Sequence, residues 1–379
     1  MTRRLTKERL RRLTLKRQFP AIRGRGVAVI EDFYRRLGPI QTQVPRAAHV
    51  SLAARLPGVS RDAITKAFQT HTIVKATNIR GAVHSSTADQ HEWLSAVSER
   101  PRTLLLRNHL KLRRLRPAQV TDEIERFTHD EWRERDAIVA HVRAWLAEHE
   151  SPESAAAVQG SQAQNLIWGH SALLRRPRDD RWETRTDVWH RDGAALLARS
   201  GISAEEATKN LVRLHLGAYG PATRRDVAWW MGNLLTLVDR AVLDLGDEVV
   251  RLEGSDGQTY LELAEPPRGG SADPGLRLLP EFDGLLLGYE GTGRDRFAQP
   301  EHLERLWARV NGLFSPAVLH DGRIVACWRI LTKGKRHDVE VEMLPGHSCP
   351  ADDEFNGQIE SVEHALDLQI TDLRVRTAR

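Results

Sequence analysis

The sequence contains few cysteines and no long apolar run. Cys327 and Cys349 are the two cysteines in 379 residues, too few for a disulfide framework. Their spacing from the neighbouring histidines fits no zinc-ligand pattern, so we expect neither a metal site nor a cofactor. No run of about 18 apolar residues occurs, and no apolar stretch of signal-peptide length follows the basic N-terminus. These absences predict a protein of the reducing cytosol with no membrane anchor.

Lysine is also scarce, although the chain is basic. Lys and Arg number 56 against 51 Asp and Glu, for a net charge of +5, and only eight of the 56 are lysine. Arginine suits bidentate phosphate contacts, but a GC-rich genome produces the same bias, and composition does not separate the two causes. With 40% hydrophobic and 28% charged residues, the composition predicts a soluble globular protein of roughly two to four domains.

Positive charge is concentrated in two segments. The first 26 residues carry ten basic side chains and one acid, Glu8. A second basic group follows at helical spacing: Arg102, Arg107, Lys111, Arg113, Arg114 and Arg116. Basic runs of this kind contact nucleic acid or form solvated helix faces, and the sequence leaves both interpretations open.

Helix signals followed by an extended segment recur along the chain. Apolar periodicity predicts helices at Val27–Leu37 and Ala47–Leu56, and Ser60 caps a third helix that ends near Phe68. An extended segment, Asn78–His84, comes next. Short helices followed by a strand pair are the outline of a winged helix.

The same outline returns twice. In the second instance, Pro117–Glu150 and Ser154–Leu174 are predicted to be helical, with extended segments around a short basic turn after them. In the third, a helix spans Ser203–Leu216, Thr223 caps another helix, and Glu248–Leu263 forms a hairpin. The three instances share a pattern of elements and negligible sequence identity.

After a Pro- and Gly-rich linker near residues 266–271, short apolar or alternating runs predict strands. These are Leu276–Leu279, Gly284–Tyr289, Ala317–His320, Arg323–Leu331 and Asp338–Met343, with a late helix near Gln358–Leu368. We therefore predict an α+β fold of three tandem winged-helix units followed by a small C-terminal β-barrel-like domain. The expected boundaries are 1–116, 117–200, 201–268 and 269–379.

The loop between Pro39 and Pro45 holds Gln41-Thr42-Gln43. Glutamine does not titrate and is a poor general base, but its amide accepts a hydrogen bond from water while it donates another. Two glutamines at this spacing are usually surface polar residues, so the motif alone does not establish a catalytic role.

Several segments occur in a specific order between about residue 37 and residue 330. They are Leu37-Gly38-Pro39-Ile40-Gln41-Thr42-Gln43, Pro45-Arg46-Ala47-Ala48, Arg80-Gly81-Ala82-Val83-His84, Gly220-Pro221-Ala222-Thr223, Ala228-Trp229-Trp230 and the run from Leu278 to Tyr289. Together they make the chain resemble the AlkZ-like winged-helix DNA glycosylases of bacteria, which excise N7-alkylated purines and unhook interstrand cross-links.

The resemblance implies a catalytic role for Gln41 and Gln43, which match the family's Gln-x-Gln signature. N7 alkylation makes the guanine cationic, so the base leaves without a general acid, and the protein has to position a water and stabilise an oxocarbenium-like sugar. Two positions depart from the family pattern. Thr42 replaces an aliphatic residue, and Val44 stands where many relatives have an acid.

Two further groups are candidates for DNA contact. Arg80 and His84 are expected two pleats apart on one strand, facing the same side, although a packed histidine and a surface arginine are an equally good interpretation. The hairpin turn with Lys333, Lys335 and Arg336 is our candidate for the DNA-channel hairpin of the resembling family. Its rivals are the turns at Gly254–Gly257 and Arg178–Arg181, and a basic turn is otherwise an ordinary soluble turn.

The resulting hypothesis is a monomeric, monofunctional DNA repair glycosylase that acts on double-stranded DNA in the bacterial cytoplasm, associated with the nucleoid. Its open channel predicts hydrolysis without full base flipping, since a cross-linked guanine cannot enter a closed pocket. The alternative is a non-enzymatic winged-helix regulator or lesion-binding resistance protein. A nuclease would need metal-binding carboxylates, and neither Asp283 nor the acidic cluster at residues 122–134 has ligand spacing.

Overall fold

The structure, a computed structural model, describes residues 4–160, 166–308 and 312–377 and shows a mixed α+β fold. The main helices are α1 (Lys7–Gln18), α2 (Val27–Leu37), α3 (Ala47–Arg55), α4 (Arg61–Gln69), α5 (Ala88–His109), α6 (Pro117–Thr128), α7 (Arg135–His149), α8 (Pro152–Ala157), α9 (Ala204–Tyr219), α10 (Arg224–Met231), α11 (Leu235–Leu245), α12 (Gly284–Leu287), α13 (Pro300–Leu306) and α14 (Asp352–Leu366).

The strands form four sheets. They are β1 (Ile40–Gln41), β2 (Val74–Thr77), β3 (Val83–Ser86), β4 (Arg133–Glu134), β5 (Leu173–Pro177), β6 (Asp187–Asp192), β7 (Val249–Glu253), β8 (Thr259–Leu263), β9 (Arg277–Leu279), β10 (Trp307–Ala308), β11 (Leu313–Phe314), β12 (Ala317–His320), β13 (Arg323–Lys333), β14 (Arg336–Met343) and β15 (Ile370–Thr377).

Polar caps start the helices where the sequence predicted them. The Ser60 hydroxyl accepts a hydrogen bond from the backbone of Ala63 at the start of α4, and Ser203 caps α9 in the same way. Thr223 and Asp226 form a capping box on α10. Each cap satisfies an amide that would otherwise lack a partner, which stabilises a helix by about 1 kcal/mol.

A single six-stranded sheet joins the first predicted unit to the second. Its order is β1-β3-β2-β5-β6-β4, and Ala76 of β2 paired with Leu174 of β5 makes the connection between the two units. The helices of the second unit have their own small core around residues 106–173. A large core extends from Leu15 to Leu366, and two small clusters lie apart from it, one around Leu5 and one around Val74.

The prediction of an extended segment at Asn78–His84 is wrong for its central residues. The chain makes a 3-10 turn at Ile79–Gly81, and the backbone of Arg80 is left-handed, with φ 55° and ψ 18°. β3 begins only at Val83. Arg80 and His84 therefore do not lie on one strand, because the turn redirects the chain between them.

The C-terminal region is an open sheet. Its order β15-β14-β13-β12-β9 is linear, and within the described residues it does not close into the barrel-like domain that was predicted. β15, which was not predicted, pairs in parallel with β14 and forms one edge of the sheet. The late helix, α14, begins earlier than predicted, at Asp352.

Two further segments differ from their prediction. The apolar run from Gly284 was expected to be a strand but forms the short helix α12, because Asp283 caps it by accepting from the backbone of Leu285. The long helix expected at Ser154–Leu174 is confirmed only in part: α8 ends at Ala157, residues 160 and 166–168 are helical, and β5 begins at Leu173, while residues 161–165 lie outside the described part. In the described part of the chain, no helix is both long enough and apolar enough to cross a bilayer.

Candidate functional site

The Gln-x-Gln loop, residues 41–43, continues a strand into a loop. Gln41 pairs with His84 across β1 and β3, and the Thr42 amide donates to the Val83 carbonyl at 2.7 Å. Because side chains alternate along an extended chain, Gln41 and Gln43 point to one side and Thr42 to the other. Gln41 is 9% exposed and Gln43 is exposed, so the pair connects the protein interior to solvent.

Arg80 orients the amide of Gln41. One guanidinium nitrogen donates to Gln41 Oε1 at 3.1 Å, and another donates to the carbonyl of Trp230. Since arginine only donates, the oxygen of the Gln41 amide faces Arg80. The Gln41 Nε2 then points to Gln43 Oε1, 3.5 Å away.

The third predicted unit holds Arg80 in place. The Arg80 guanidinium lies 4.9 Å from the ring centroid of Trp229, and Arg294 lies 4.6 Å from the same ring. Gly232, at the end of α10, packs so closely that a Cβ there would lie 3.1 Å from the Arg80 amide nitrogen. Burial lowers the pKa of Arg80 to about 10, which leaves it protonated at neutral pH.

Two ion pairs attach the helix that follows the loop to the segment before α12. Arg46 binds Glu281, with Nε 3.1 Å from Oε1. Arg55 binds Asp283 through two nitrogens at 2.8 and 2.9 Å, and both side chains are 2% exposed. Glu281 and Asp283 therefore have a structural role as partners of these two arginines. Because the Asp283 carboxylate is occupied by Arg55, we do not consider it a metal ligand or a catalytic acid. These ion pairs were not predicted, because no local sequence signal connects residues more than 200 positions apart.

His84 is buried beside Gln41. It is 2% exposed, and its Nδ1 lies 3.0 Å from the Ala82 carbonyl oxygen, so Nδ1 carries the hydrogen. Burial and the positive charge of Arg80 lower the pKa of His84 to about 3. The neutral, buried imidazole lies on the strand paired with Gln41 and has a structural role there. A DNA contact by His84 stays a prediction.

The Thr42 hydroxyl is buried and unpaired among the described residues. Thr42 is 1% exposed, and its Oγ1 has no hydrogen-bond partner among the described residues. The side chain fills the place that an aliphatic residue occupies in the resembling family. Val44 is partly buried and packs against the large core.

The cationic hairpin, Lys333 to Arg336, is a two-residue turn between β13 and β14. Lys333 pairs with Arg336, and Gly334 has the left-handed φ of 63° that glycine adopts without strain. Arg336 binds Asp338 at 2.9 Å. The side chains of Lys333 and Lys335 are exposed and form no hydrogen bond or ion pair with another described residue, so this tip carries free positive charge.

The rival turns differ in chemistry. The turn at Gly254–Gly257 is attached to the N-terminal arm, since the Ser255 amide donates to the Leu5 carbonyl at 2.8 Å, and it carries the acid Asp256. The turn at Arg178–Arg181 is exposed but includes two aspartates. Of the three turns, the cationic hairpin has the largest net positive charge.

The basic N-terminal arm is partly structural. Arg17 is 6% exposed and binds Glu262 at 2.5 Å, so it anchors α1 to β8. Lys7 pairs with Asp295 at 3.8 Å on the surface, while Arg9 and Arg12 are exposed. In the second basic segment, Lys111 and Arg113 pair with Glu153; the side chain of Arg102 lies outside the described part.

The two tryptophans next to the site differ in burial, and the availability of at most one of them for stacking on a base stays a prediction. Trp230 is 3% exposed and belongs to the core, whereas Trp229 is partly buried between two arginines. No group of three or more His, Cys, Asp or Glu side chains that could hold a metal occurs among the described residues.

Comparisons with known proteins identify the family and the fold. A family model described as DNA glycosylase AlkZ-like matches residues 34–367. The interstrand DNA cross-link repair glycosylase of Streptomyces sahachiroi is 27% identical over 310 residues, which cover 79% of this chain and 82% of that protein. The solved structure of Streptomyces sahachiroi DNA glycosylase AlkZ superimposes over 100% of both chains with a TM-score of 0.80 and 20% identity, which supports the fold. The chain belongs to the AlkZ-like DNA glycosylase family and is an enzyme that hydrolyses N-glycosyl bonds.

Proposed function

We propose that this glycosylase excises N7-alkylated purines from double-stranded DNA, including bulky adducts and interstrand cross-links, with a water positioned by Gln41 and Gln43. The observation that carries the proposal is the chain of oriented groups from Arg80 to Gln41 and on to Gln43. Arg80 orients the Gln41 amide, and the longer contact from Gln41 favours one direction of the Gln43 amide. Such preorganisation is the main way in which uncharged groups contribute to catalysis.

The oriented amides leave acceptor positions for a water. An amide oxygen has two lone pairs. Gln41 Oε1 uses one for Arg80, and Gln43 Oε1 uses one for the long contact from Gln41, so each keeps one. A water that donates to both oxygens directs its own lone pair away from them, toward the anomeric carbon of a bound nucleotide.

The neighbouring groups fit a cationic leaving group. An N7-alkylated purine departs without protonation, and His84, with a pKa of about 3, supplies none. Lys75, one of the lysines nearest in sequence, binds Asp187 at 2.6 Å and is not free to form a Schiff base. A monofunctional hydrolase follows from both features.

The wider proposal is a monomer in which three winged-helix units and the cationic hairpin surround the DNA. Lys333 and Lys335 would contact backbone phosphates. A cross-linked guanine is tied to the opposite strand, so we expect hydrolysis without complete base flipping. The name of the Streptomyces relative, a cross-link repair glycosylase, supports this substrate class.

The decisive experiment compares the wild type with a Gln41→Ala/Gln43→Ala double variant. Purified wild-type protein should release free N7-methylguanine from methylated duplex DNA and separate the strands of a cross-linked duplex on a denaturing gel. The double variant should lose both activities, by at least about 10²-fold, and keep its affinity for DNA. A wild type that binds DNA and releases no base would favour the non-enzymatic lesion-binding alternative.

A further inference from the structure

A cleft lies where the first and second units meet, between β2 and β5. The two strands share a single pair, Ala76 with Leu174. Continuing that register would place Lys75 opposite Arg175 and Val74 opposite Arg176. The strands diverge there instead, and a cavity of about 240 Å³ opens between them. Like charges directly opposite each other repel, which agrees with the divergence.

Positive charge dominates the lining of this cleft. Lys75, Arg175, Arg176 and Arg191 line it together with one acid, Asp180. Asp187 lies beside the cleft and neutralises Lys75 in the 2.6 Å ion pair. Three arginines therefore face a single carboxylate, and Gln69 donates to that carboxylate at 3.4 Å.

Two buried donors in the lining lack a partner. Arg176 Nε and the indole nitrogen of Trp182 are buried and form no hydrogen bond among the described residues. Trp182 is 6% exposed and stacks on Phe68 at 4.2 Å, so its position is fixed. An unpaired buried donor destabilises the fold unless an acceptor arrives.

Aromatic surfaces complete the cleft. The Arg176 guanidinium lies 5.3 Å from the ring centroid of Trp132, which also lines the cavity. Arg175 is held by Trp168, 4.2 Å from its ring centroid, and has a structural role. The cleft thus offers unpaired donors, excess positive charge and flat apolar walls in one place.

We propose that this cleft binds the phosphate group of a nucleotide, at a site separate from the Gln-x-Gln loop. A phosphate supplies the acceptor oxygens and the negative charge that the lining lacks, and Arg176 and Arg191 provide the cationic contacts. The phosphate belongs either to the backbone of bound DNA or to a free nucleotide. The proposal concerns binding and does not depend on excision.

The sheet fixes the distance between the cleft and the loop. Paired residues lead across it from Gln41 to His84, Ala76 and Leu174. Three strand spacings of about 4.8 Å amount to about 14 Å. At 3.4 Å per base step along one strand, that is about four steps, so a DNA phosphate in the cleft would lie within the same footprint as the lesion.

The test uses the full chain and an Arg176→Gln/Arg191→Gln variant. A matched control, Arg240→Gln/Arg251→Gln, removes the same charge from exposed positions outside the cleft. Calorimetric titration with guanosine 5′-monophosphate and with inorganic phosphate measures the free-nucleotide arm. If a free nucleotide is the ligand, the wild type and the control bind it, and the cleft variant binds at least about tenfold more weakly.

The second arm measures the affinity for undamaged duplex DNA across a range of salt concentrations. If the backbone is the ligand, the slope of log affinity against log salt falls by about 1 in the cleft variant and stays unchanged in the control. The single variant Arg191→Gln and thermal melting curves exclude misfolding. Unchanged binding in both arms, or equal losses in the cleft variant and the control, would overturn the proposal. Excision is assayed separately, so a wild type without excision leaves the cleft test intact.

Discussion

The Gln-x-Gln loop and the cationic hairpin are held in opposite ways. Distant parts of the chain fix the loop: Arg80 orients Gln41, and Arg55 with Asp283 locks the helix after it. The hairpin tip extends from its sheet with two exposed lysines that no other described residue binds. A positioned water requires groups fixed to a fraction of an ångström, whereas a phosphate contact requires positive charge within reach. From this difference we propose that orientation determines the rate of excision, and that charge at the hairpin contributes to affinity.

The strongest test of this contrast is Arg80→Met. Met keeps much of the aliphatic stem but cannot donate to Gln41 or to Trp230. We expect the single-turnover excision rate to fall about 10²-fold, with DNA affinity changed by less than about threefold. Arg80→Lys should lose nearly as much, because one ammonium cannot make both contacts. If the variants weaken DNA binding and leave the rate unchanged, Arg80 is the DNA contact that the sequence suggested and does not position Gln41.

The converse test is Lys333→Gln/Lys335→Gln. Loss of two phosphate contacts should weaken DNA binding about tenfold at low salt and reduce the salt slope by up to about 2. The excision rate at saturating enzyme should stay as it is in the wild type. The Arg240→Gln/Arg251→Gln variant serves as the charge-matched control. A large fall in the excision rate at saturating enzyme would show that the hairpin acts in the catalytic step, and would contradict the difference between the hairpin and the Gln-x-Gln loop.

The sequence predicted one of these regions better than the other. The hairpin is a local feature, in which alternating residues and a Gly turn determine both strands. The helices around the loop were also predicted, because Ser60 and Thr223 are local caps. Gln41, Gln43 and Arg80 were named as candidates, but the contact between Arg80 and Gln41 was not predicted, since the left-handed turn at Arg80 is a backbone conformation that arginine rarely adopts. Its partners, Trp230 and Gly232, lie about 150 residues away and carry no local signal.

The C-terminal region shows the same limit. The run Leu285-Leu286-Leu287 is apolar, and periodicity cannot separate a short buried strand from a buried helix. Asp283 favours the helix over the strand because its carboxylate caps the first turn, and the same carboxylate binds Arg55. The cap can be recognised in the sequence, but the ion pair with Arg55 cannot. The helical conformation of this segment was therefore not predicted.

A smaller effect is expected from Thr42→Val. The Thr42 hydroxyl is buried without a partner, and Val keeps the branched shape of the side chain. The free energy of unfolding should rise by about 1 kcal/mol, with excision unchanged. Thr128→Val is the matched control, since the Thr128 hydroxyl donates to the Ile124 carbonyl at 2.8 Å, and there the change should not stabilise. If Thr42→Val slows excision, its hydroxyl takes part in positioning the water.

The smallest effect is expected from pH. Amides do not titrate, the pKa of His84 is about 3 and that of Arg80 is about 10. The single-turnover rate on N7-methylguanine should therefore be flat between about pH 6 and pH 9.

Stability, in contrast, should depend on pH on the acid side. Burial also lowers the pKa of His49 to about 3 and that of His215 to about 4. Because the unfolded chain takes up these protons near pH 6.5 and the folded chain does not, the free energy of unfolding falls as pH drops below 6.5. Each such histidine contributes about 1.4 kcal/mol per pH unit.

The excision rates must therefore be measured in the pH range in which thermal melting shows that the protein is folded. A bell-shaped rate profile in that range, with an apparent pKa between about 6 and 8, would reveal a titrating group in the reaction and contradict a mechanism based on oriented amides alone.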